Sequence, residues 1–379
     1  MVGNRMKAVA AKHSVFIVTE GSGKETDESV YHELCCKGIK LVEAPKRDLF
    51  YHIRWLVRSS LNVGRYANPK WTRAVYDILR KMQIDLVNVD LPMPCINLLP
   101  IQQNFGSIPI VINQQNIEFF NVKSKIHTKD IGFPVKLYAA MESAKLKAWE
   151  KTLYRQRSIK AMSFVSHKDL DSFVAEFGEK GMELFVSPIG TNLPDETEMY
   201  DEHEGKIIVF PASFDYPPNI HGAVWTATNV MPKLRNMGGN IKLYLVGREP
   251  TAEVRKLACE DIIVTGTVPD IRQYFRMADV FVVPIFFGGG VKTKLIEMGG
   301  YGKPVVSTTA GIAGTLYKHG EEVFVADTAE DFAEHLTRTL LNRRDYQETG
   351  ERLRKTTLDH YAWSNIGKDY CDFLERAAR

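Results

Sequence analysis

Lys294 and Glu297 stand three residues apart, just behind Gly288, Gly289 and Gly290, and that spacing suits one kind of ligand. Glycines let the backbone approach a ligand with no Cβ in the way. A helix beginning at about Val291 offers unpaired N–H groups and a partial positive charge to an anion. On that helix Lys294 and Glu297 share a face, so a cation lies near the anion and a carboxylate lies one turn deeper. This order fits a diphosphate followed by a ribose. An ordinary glycine-rich strand-to-helix turn with a surface Lys–Glu pair accounts for the same residues, and glycines plus charges alone leave both readings open.

The elements that must hold such a turn are visible around it. Residues 280–284 form a short apolar run of the kind found in buried parallel strands, and further runs at 206–210, 241–246, 262–265, 304–307 and 323–326 complete a series. An earlier series lies at 14–19, 86–89, 109–113, 161–165 and 183–187. Both alternate with helical segments, which predicts an α/β protein with two doubly wound sheets. The polar, acidic stretch 192–205 reads as the linker between them. The expected boundaries are an N-terminal domain over 1–191, a C-terminal domain over 206–360 and a final helix over 361–379. Ligands of such sheets gather beyond the carboxyl ends of the strands, so the glycine turn should open on a cleft.

Composition narrows the function classes. The 379 residues are 44% hydrophobic and 25% charged, as expected of globular domains with full cores. No apolar run reaches a membrane span, and the polar, basic first dozen residues lack a signal peptide's apolar core, so a cytoplasmic location is expected. Five cysteines, with Cys35 and Cys36 adjacent and no Cys-x-x-Cys, suit neither a disulfide framework nor a zinc site. His13, His52, His167 and His221 show no metal-ligand spacing, and no Asp-x-Asp signature serves a divalent cation, so no metal is implied. Gly21-Ser-Gly-Lys-Glu25 lacks the first glycine and the Ser or Thr of a phosphate loop.

Charge is unevenly shared. Residues 1–190 carry 27 Lys and Arg against 19 Asp and Glu, whereas residues 191–379 carry 22 against 27. The densest basic stretch, 47–81, interleaves Arg54, Arg58, Arg65, Lys70, Arg73, Arg80 and Lys81 with Phe50, Tyr51, Trp55, Tyr66 and Trp71. A solvated helix face has this composition, and so has a surface for nucleic acid, an anionic membrane or a phosphorylated lipid. No nucleic-acid module is visible. Among binding roles this favours peripheral contact with an anionic membrane or a polyprenyl-phosphate acceptor, and no nucleic acid.

The whole second half resembles the C-terminal domain of family 4 retaining glycosyltransferases of the GT-B fold, in the variant with Gly-Gly-Gly-Val-x-x-Lys at Gly288–Lys294. Val209-Phe-Pro-Ala-Ser-Phe-Asp-Tyr-Pro-Pro-Asn219 is similar to that domain's opening strand and turn, Leu243-Tyr-Leu-Val-Gly-Arg-Glu-Pro250 to its second strand, and Val264-Thr-Gly-Thr-Val-Pro-Asp-Ile-Arg272 to its third strand and base-contacting turn. Weaker echoes run through Ile112-Asn-Gln-Gln-Asn-Ile-Glu118, Phe164-Val-Ser-His-Lys-Asp-Leu170 and Val186-Ser-Pro-Ile-Gly-Thr-Asn192. The resemblance implies two Rossmann-like domains facing a cleft. It also implies transfer of a sugar from a UDP- or GDP-type nucleotide sugar to a glycan or lipid-linked acceptor, with no further cofactor, as in cell-surface polysaccharide or glycoconjugate synthesis.

Roles follow residue by residue. Such transfer must stabilise charge developing on the diphosphate and position the acceptor hydroxyl. Lys294, Arg248 and Lys292 are the candidate catalytic cations, standing in for a basic pair that this chain lacks. Glu297, Gly288, Gly289, Gly290, Val291, Ser213 and Val268 are the implied donor contacts. Gln115, Asn116, Glu118, Gly3 and Arg5 are placed on the acceptor side. Three features depart from the pattern. Gly289 occupies the place of the first glutamate of Glu-x7-Glu, of which Glu297 is the second. The basic pair of the opening turn is absent around Ser213–Asn219. Gln115 stands where a histidine is expected, and glutamine hydrogen-bonds but shuttles no proton near neutrality. The chain also begins where the first strand should already be complete: Gly3-Asn-Arg-Met-Lys-Ala-Val-Ala-Ala11 reads as the loop end and following helix. The N-terminal domain is therefore expected to lack its first strand, with residues 15–19 as the alternative first strand.

Overall fold

The computed structural model describes residues 2–21, 37–43, 55, 59–115, 117–124, 132–195, 199–236, 238, 240–288, 290–341 and 343–379. The basic residues Arg54 and Arg58, the aromatics Phe50 and Tyr51, and the site candidates Asn116 and Gly289 lie outside the described residues, as do Cys35 and Cys36. The chain divides into two compact units, Met1–Pro188 with Ile366–Arg379, and Ile189–Asn365.

In the first unit the helix Val2–Ala10 precedes β1 (Phe16–Gly21), which pairs in parallel with β2 (Gly38–Glu43). A four-stranded parallel sheet follows, in the order β3 (Val87–Asp90), β4 (Ile110–Gln114), β5 (Ile159–Phe164) and β6 (Glu183–Val186). Side chains alternate across a strand, and here both faces are covered. Ile110, Ile112, Met162 and Phe164 meet one core together with Leu146, Tyr154 and Phe173. Val111 and Ala161 meet another, supplied by Tyr370, Phe373 and Leu374 of the last helix, Trp363–Ala377.

The second unit holds six parallel strands: β7 (Lys206–Pro211), β8 (Ile241–Val246), β9 (Ile262–Gly266), β10 (Val280–Val283), β11 (Val305–Ser307) and β12 (Phe324–Val325). Their order across the sheet is β12-β11-β10-β7-β8-β9. Each strand is a short apolar run, and Ile207–Phe210 and Val280–Val283 are buried throughout, which is why they read so clearly in sequence. The chain leaves β7 toward β8 on one side and returns with β10 on the other. The carboxyl ends of β7 and β10 therefore flank the point where the winding reverses, which is where open sheets of this order bind ligands.

Residues 199–205 are held against this unit. Arg276 Nε donates to Asp201 at 2.9 Å, and His203 lies 3.6 Å from the buried Asp279, which accepts from the Ile207 N–H at 2.8 Å. Burial pushes the Lys303 ammonium down to about 7, with Asp201 opposing, while Lys303 donates to the carbonyls of Arg276 and Ala278 at the end of the helix Arg272–Met277. Among the described residues no helix is long and apolar enough to cross a membrane.

Candidate functional site

Three turns meet where the winding reverses. The first, 212–216 after β7, is locked to the second, 247–250 after β8, by the Phe214 N–H donating to the Arg248 carbonyl at 3.0 Å. Gly247 has φ 153°, and a Cβ there would lie 1.7 Å from the Ala212 carbonyl oxygen, so only glycine lets the two turns close. Glu249 beside it adopts a left-handed φ of 53°. This packing aims Arg248 back over the first turn. Its Nε donates to Ser213 Oγ at 2.9 Å, and Ser213 Oγ donates to Asp215 at 2.5 Å. The Ser213 hydroxyl, then the backbone and Arg248, hold the Asp215 carboxyl below its usual range. Asn219 fastens the turn from the next helix by donating to the Ser213 carbonyl at 2.8 Å. The exposed Arg248 spends only its Nε here, so its Nη groups can face a ligand.

The third turn, after β10, carries the glycines. Gly288 has φ 102° and Gly290 φ 77°, both left-handed. A Cβ on Gly288 would lie 3.0 Å from the Tyr216 hydroxyl and 3.1 Å from Pro218, so this turn lies against the first one and the start of the helix Pro217–Trp225. The helix expected from Val291 begins instead at Thr293 and ends at Gly299. The reason is Lys292: it is extended at the N-cap, and its ammonium folds back onto the Gly290 carbonyl at 2.8 Å and the Gly288 carbonyl at 3.4 Å, keeping Val291 and itself in the loop. Lys292 thus organises the loop from within. No side chain caps the helix.

Lys294 and Glu297 do share a face. Their side chains pair at 2.6 Å and are 43% and 33% exposed, half-buried at the surface, with Lys294 also 6.0 Å from the centroid of the Phe275 ring. Burial, then the Glu297 charge, raises the Tyr301 hydroxyl to about 12. Behind the pair Leu295, Ile296 and Met298 are buried, and Gly299 sits so close to Thr357 of the helix Arg343–Tyr361 that a Cβ would lie 2.3 Å from its Oγ1. Val268, in the turn after β9, is half-buried against the core of this unit.

The acceptor-side candidates lie in the first unit. Gln115 follows β4 and is half-buried, Glu118 opens the helix Glu118–Ser124, and Gly3 is half-buried in the first helix. Arg5 turns inward: it is buried, donates to the Ser187 carbonyl and stacks over the Tyr370 ring at 5.0 Å. Burial lowers its pKa, opposed by Tyr370 and Asp90. A polar network that sequence reasoning missed lies at the carboxyl ends of β3, β4 and β5. Asn113 Oδ1 accepts from Ser163 Oγ at 2.6 Å and from the Tyr370 hydroxyl at 2.7 Å, and its Nδ2 donates to Asp90 at 2.9 Å. The one available signal was an asparagine ending the apolar run Ile110–Ile112.

A second missed feature is acidic. The helix Phe133–Leu153 buries both Glu142 and Glu150. Glu142 accepts from Ser60 Oγ at 2.5 Å and the Asn62 N–H at 2.8 Å. Glu150 has no comparable set of donors: Tyr154 lies near enough to temper its shift but outside hydrogen-bond geometry. Burial, then the Glu118 charge, pushes the Glu150 carboxyl up to about 8 from 4.5. A raised folded pKa means that the native state keeps a proton the unfolded chain has lost. Stability from this group is therefore complete below 4.5 and falls until pH passes 8. Glu150→Gln, which keeps the neutral shape, is expected to gain about 3 kcal/mol over wild type near neutral pH and nothing in acid. Urea unfolding across that window tests this, and a difference independent of pH would refute it.

Among the described residues no group of three or more His, Cys, Asp or Glu could hold a metal. Asp169 and Asp171 lie within the helix His167–Phe177, where Asp169 accepts from its cap Ser166.

Comparison with known proteins agrees with this architecture. Residues 205–342 match the family described as "Glycosyl transferases group 1". An uncharacterised 44.6 kDa protein in the cps region of Klebsiella pneumoniae is 26% identical over 152 residues, a stretch that is 38% of this chain and 39% of that protein. Among solved structures, a glycosyltransferase from Rickettsia africae superposes with a TM-score of 0.70 at 14% identity, over 99% of this chain and 94% of that one. HepE from Anabaena, in complex with UDP and glucose, gives 0.66 at 12% identity over the same shares. WaaG, a glycosyltransferase involved in lipopolysaccharide biosynthesis, gives 0.59 at 16% identity over 98% and 94%. The fold is GT-B, with two Rossmann-like units.

Proposed function

We propose that this chain is a glycosyltransferase that moves a sugar, with retention of anomeric configuration, from a UDP- or GDP-type nucleotide sugar to a glycan or lipid-linked acceptor in cell-surface polysaccharide or glycoconjugate synthesis. The observation that carries the reading is the meeting of three turns where the β7–β10 sheet reverses, inside the stretch matched by the glycosyltransferase family. The UDP and glucose held by HepE, and the cps region that encodes the Klebsiella relative, support the donor type and the polysaccharide setting.

In this reading the Gly288–Gly290 loop, braced by Lys292, receives the diphosphate on backbone N–H groups. Lys294 and the Nη groups of Arg248 stabilise the charge that grows as the bond from the anomeric carbon to the diphosphate breaks. Glu297, drawn from its pairing with Lys294, accepts from the ribose hydroxyls. Ser213 contacts phosphate and the turn at Val268 contacts the base. Gln115 and Glu118 hydrogen-bond acceptor hydroxyls. No protein nucleophile is required.

Thermal shift against uridine, guanosine, adenosine and thymidine diphosphates tests the site. Ligand at a hundredfold its dissociation constant should add about 2.7 kcal/mol to the folded state, for one base, and Glu297→Ala should lose most of that gain. Absence of a shift with every nucleotide, in a protein that melts cooperatively, would refute the reading. A shift without turnover of any donor sugar would favour a nucleotide-binding protein in which Gly289 has replaced the carboxylate needed for transfer.

A further inference from the structure

The helix Phe133–Leu153 buries Ala139, Leu146 and Leu153 but also two acids, and at its start it turns apolar side chains to solvent. Its buried side carries Glu142, Ser143 and Glu150. One side of the first two and a half turns exposes Phe133 at 77%, Leu137 at 52% and Met141 at 51%, flanked by Tyr138 at 41%, while Val135, on the side of Ala139 and Glu142, is 50% exposed. Phe120, on the helix Glu118–Ser124 packed beside it, is exposed as well. A soluble helix normally does the reverse. Contiguous exposed apolar side chains of this kind mark a surface that something covers.

The charges around the patch say what. On this helix the charged side chains that reach the surface are Lys136, Lys145, Lys147 and Lys151, and both glutamates are inside. Lys147 is paired with Glu176 at 2.5 Å. Exposed Arg65 is close enough to the patch for its charge to act on the Tyr138 hydroxyl, and exposed Lys123 ends the neighbouring helix. A second copy of the chain would bring this basic rim against itself. The apolar stretch, from 133 to 141, is also only about 12 Å long and, at a helix width of about 10 Å, covers on the order of 120 Å², far below the roughly 800 Å² per partner of a stable dimer. An anionic lipid surface accepts both features, taking apolar side chains at the acyl boundary and lysines among its headgroups.

We infer that the outer face of Phe133–Leu153, with Arg65 and Lys136 beside it, is a docking surface for anionic membrane lipid. The inference is independent of the sugar-transfer reading, and nucleotide binding can fail while it holds.

Co-sedimentation of the full chain with phosphatidylcholine vesicles, and with vesicles about a third phosphatidylglycerol, tests it. Binding is expected to the anionic vesicles only and to weaken in high salt. A variant combining Phe133→Ser, Leu137→Ser and Met141→Ser should lose about tenfold or more of that binding with its melting temperature unchanged. Should that variant unfold, Arg65→Glu with Lys136→Glu leaves the apolar face intact and must show the same loss. Wild-type protein that stays in the supernatant, variants that bind as wild type does, or a dimer in sedimentation that the serine variant dissolves would each overturn the inference, the last in favour of a second copy.

Discussion

Lys294→Ala is expected to lower kcat/KM for sugar transfer about a hundredfold, roughly 3 kcal/mol of transition-state stabilisation. The ammonium sits one residue into the helix that follows the glycine loop, and it is held in place by Glu297 at 2.6 Å. Such a cation meets charge that exists fully only as the diphosphate departs, so kcat should carry most of the loss. Stability should hardly move, because a pair as open as this one contributes only a few tenths of a kcal/mol. Lys292→Ala should behave differently. Its ammonium closes the loop on the Gly288 and Gly290 carbonyls, so its loss should raise KM for the donor more than it lowers kcat. The reverse pattern, an intact kcat in Lys294→Ala with a collapse in Lys292→Ala, would exchange the two roles.

Gly247→Ala is expected to cost about 4 kcal/mol, or about 10 °C in melting temperature for a unit of this size. The methyl would meet the Ala212 carbonyl at 1.7 Å, backbone against backbone, and the turns bearing Ser213 and Arg248 would have to separate. Gly238→Ala is the control: φ is also positive, 69°, but nothing lies within 4 Å of the new methyl, and the cost should be about 1 kcal/mol. Equal losses in the two variants would show that backbone conformation, not the clash, requires glycine at 247.

Much of the second unit was legible because its central strands, β7 and β10, are buried almost throughout and read as apolar runs. The strand expected at 241–246 is β8 with the same ends, and that at 206–210 is β7 less one residue. β2 escaped notice because only two apolar residues, Leu41 and Val42, follow Lys40 before Glu43, whereas four follow Lys242 in β8. The start of the helix behind the glycine loop was misplaced by two residues, since a lysine side chain bonding back to the loop has no signature in periodicity. Asn113 and Tyr370 meet across 257 residues, and no local spacing announces such a pair. The helix Phe133–Leu153 falls between the strands expected at 109–113 and 161–165, but the side it buries was not legible, because Glu142 and Glu150 go inside with Ala139, Leu146 and Leu153.

The placement of Ile366–Arg379 in the first unit bears on how the protein is made. A ribosome releases roughly 5 to 20 residues per second, so the first 188 residues are out for some ten to forty seconds before the chain end that completes them. During that interval Val111 and Ala161 lack the cover of Phe373 and Leu374, and Asn113 lacks the hydroxyl of Tyr370. The second unit, by contrast, is contiguous and can finish first. The nascent chain therefore carries its β3–β6 sheet half-covered, and a stop codon just before Ile366 would damage the half of the protein that was synthesised first.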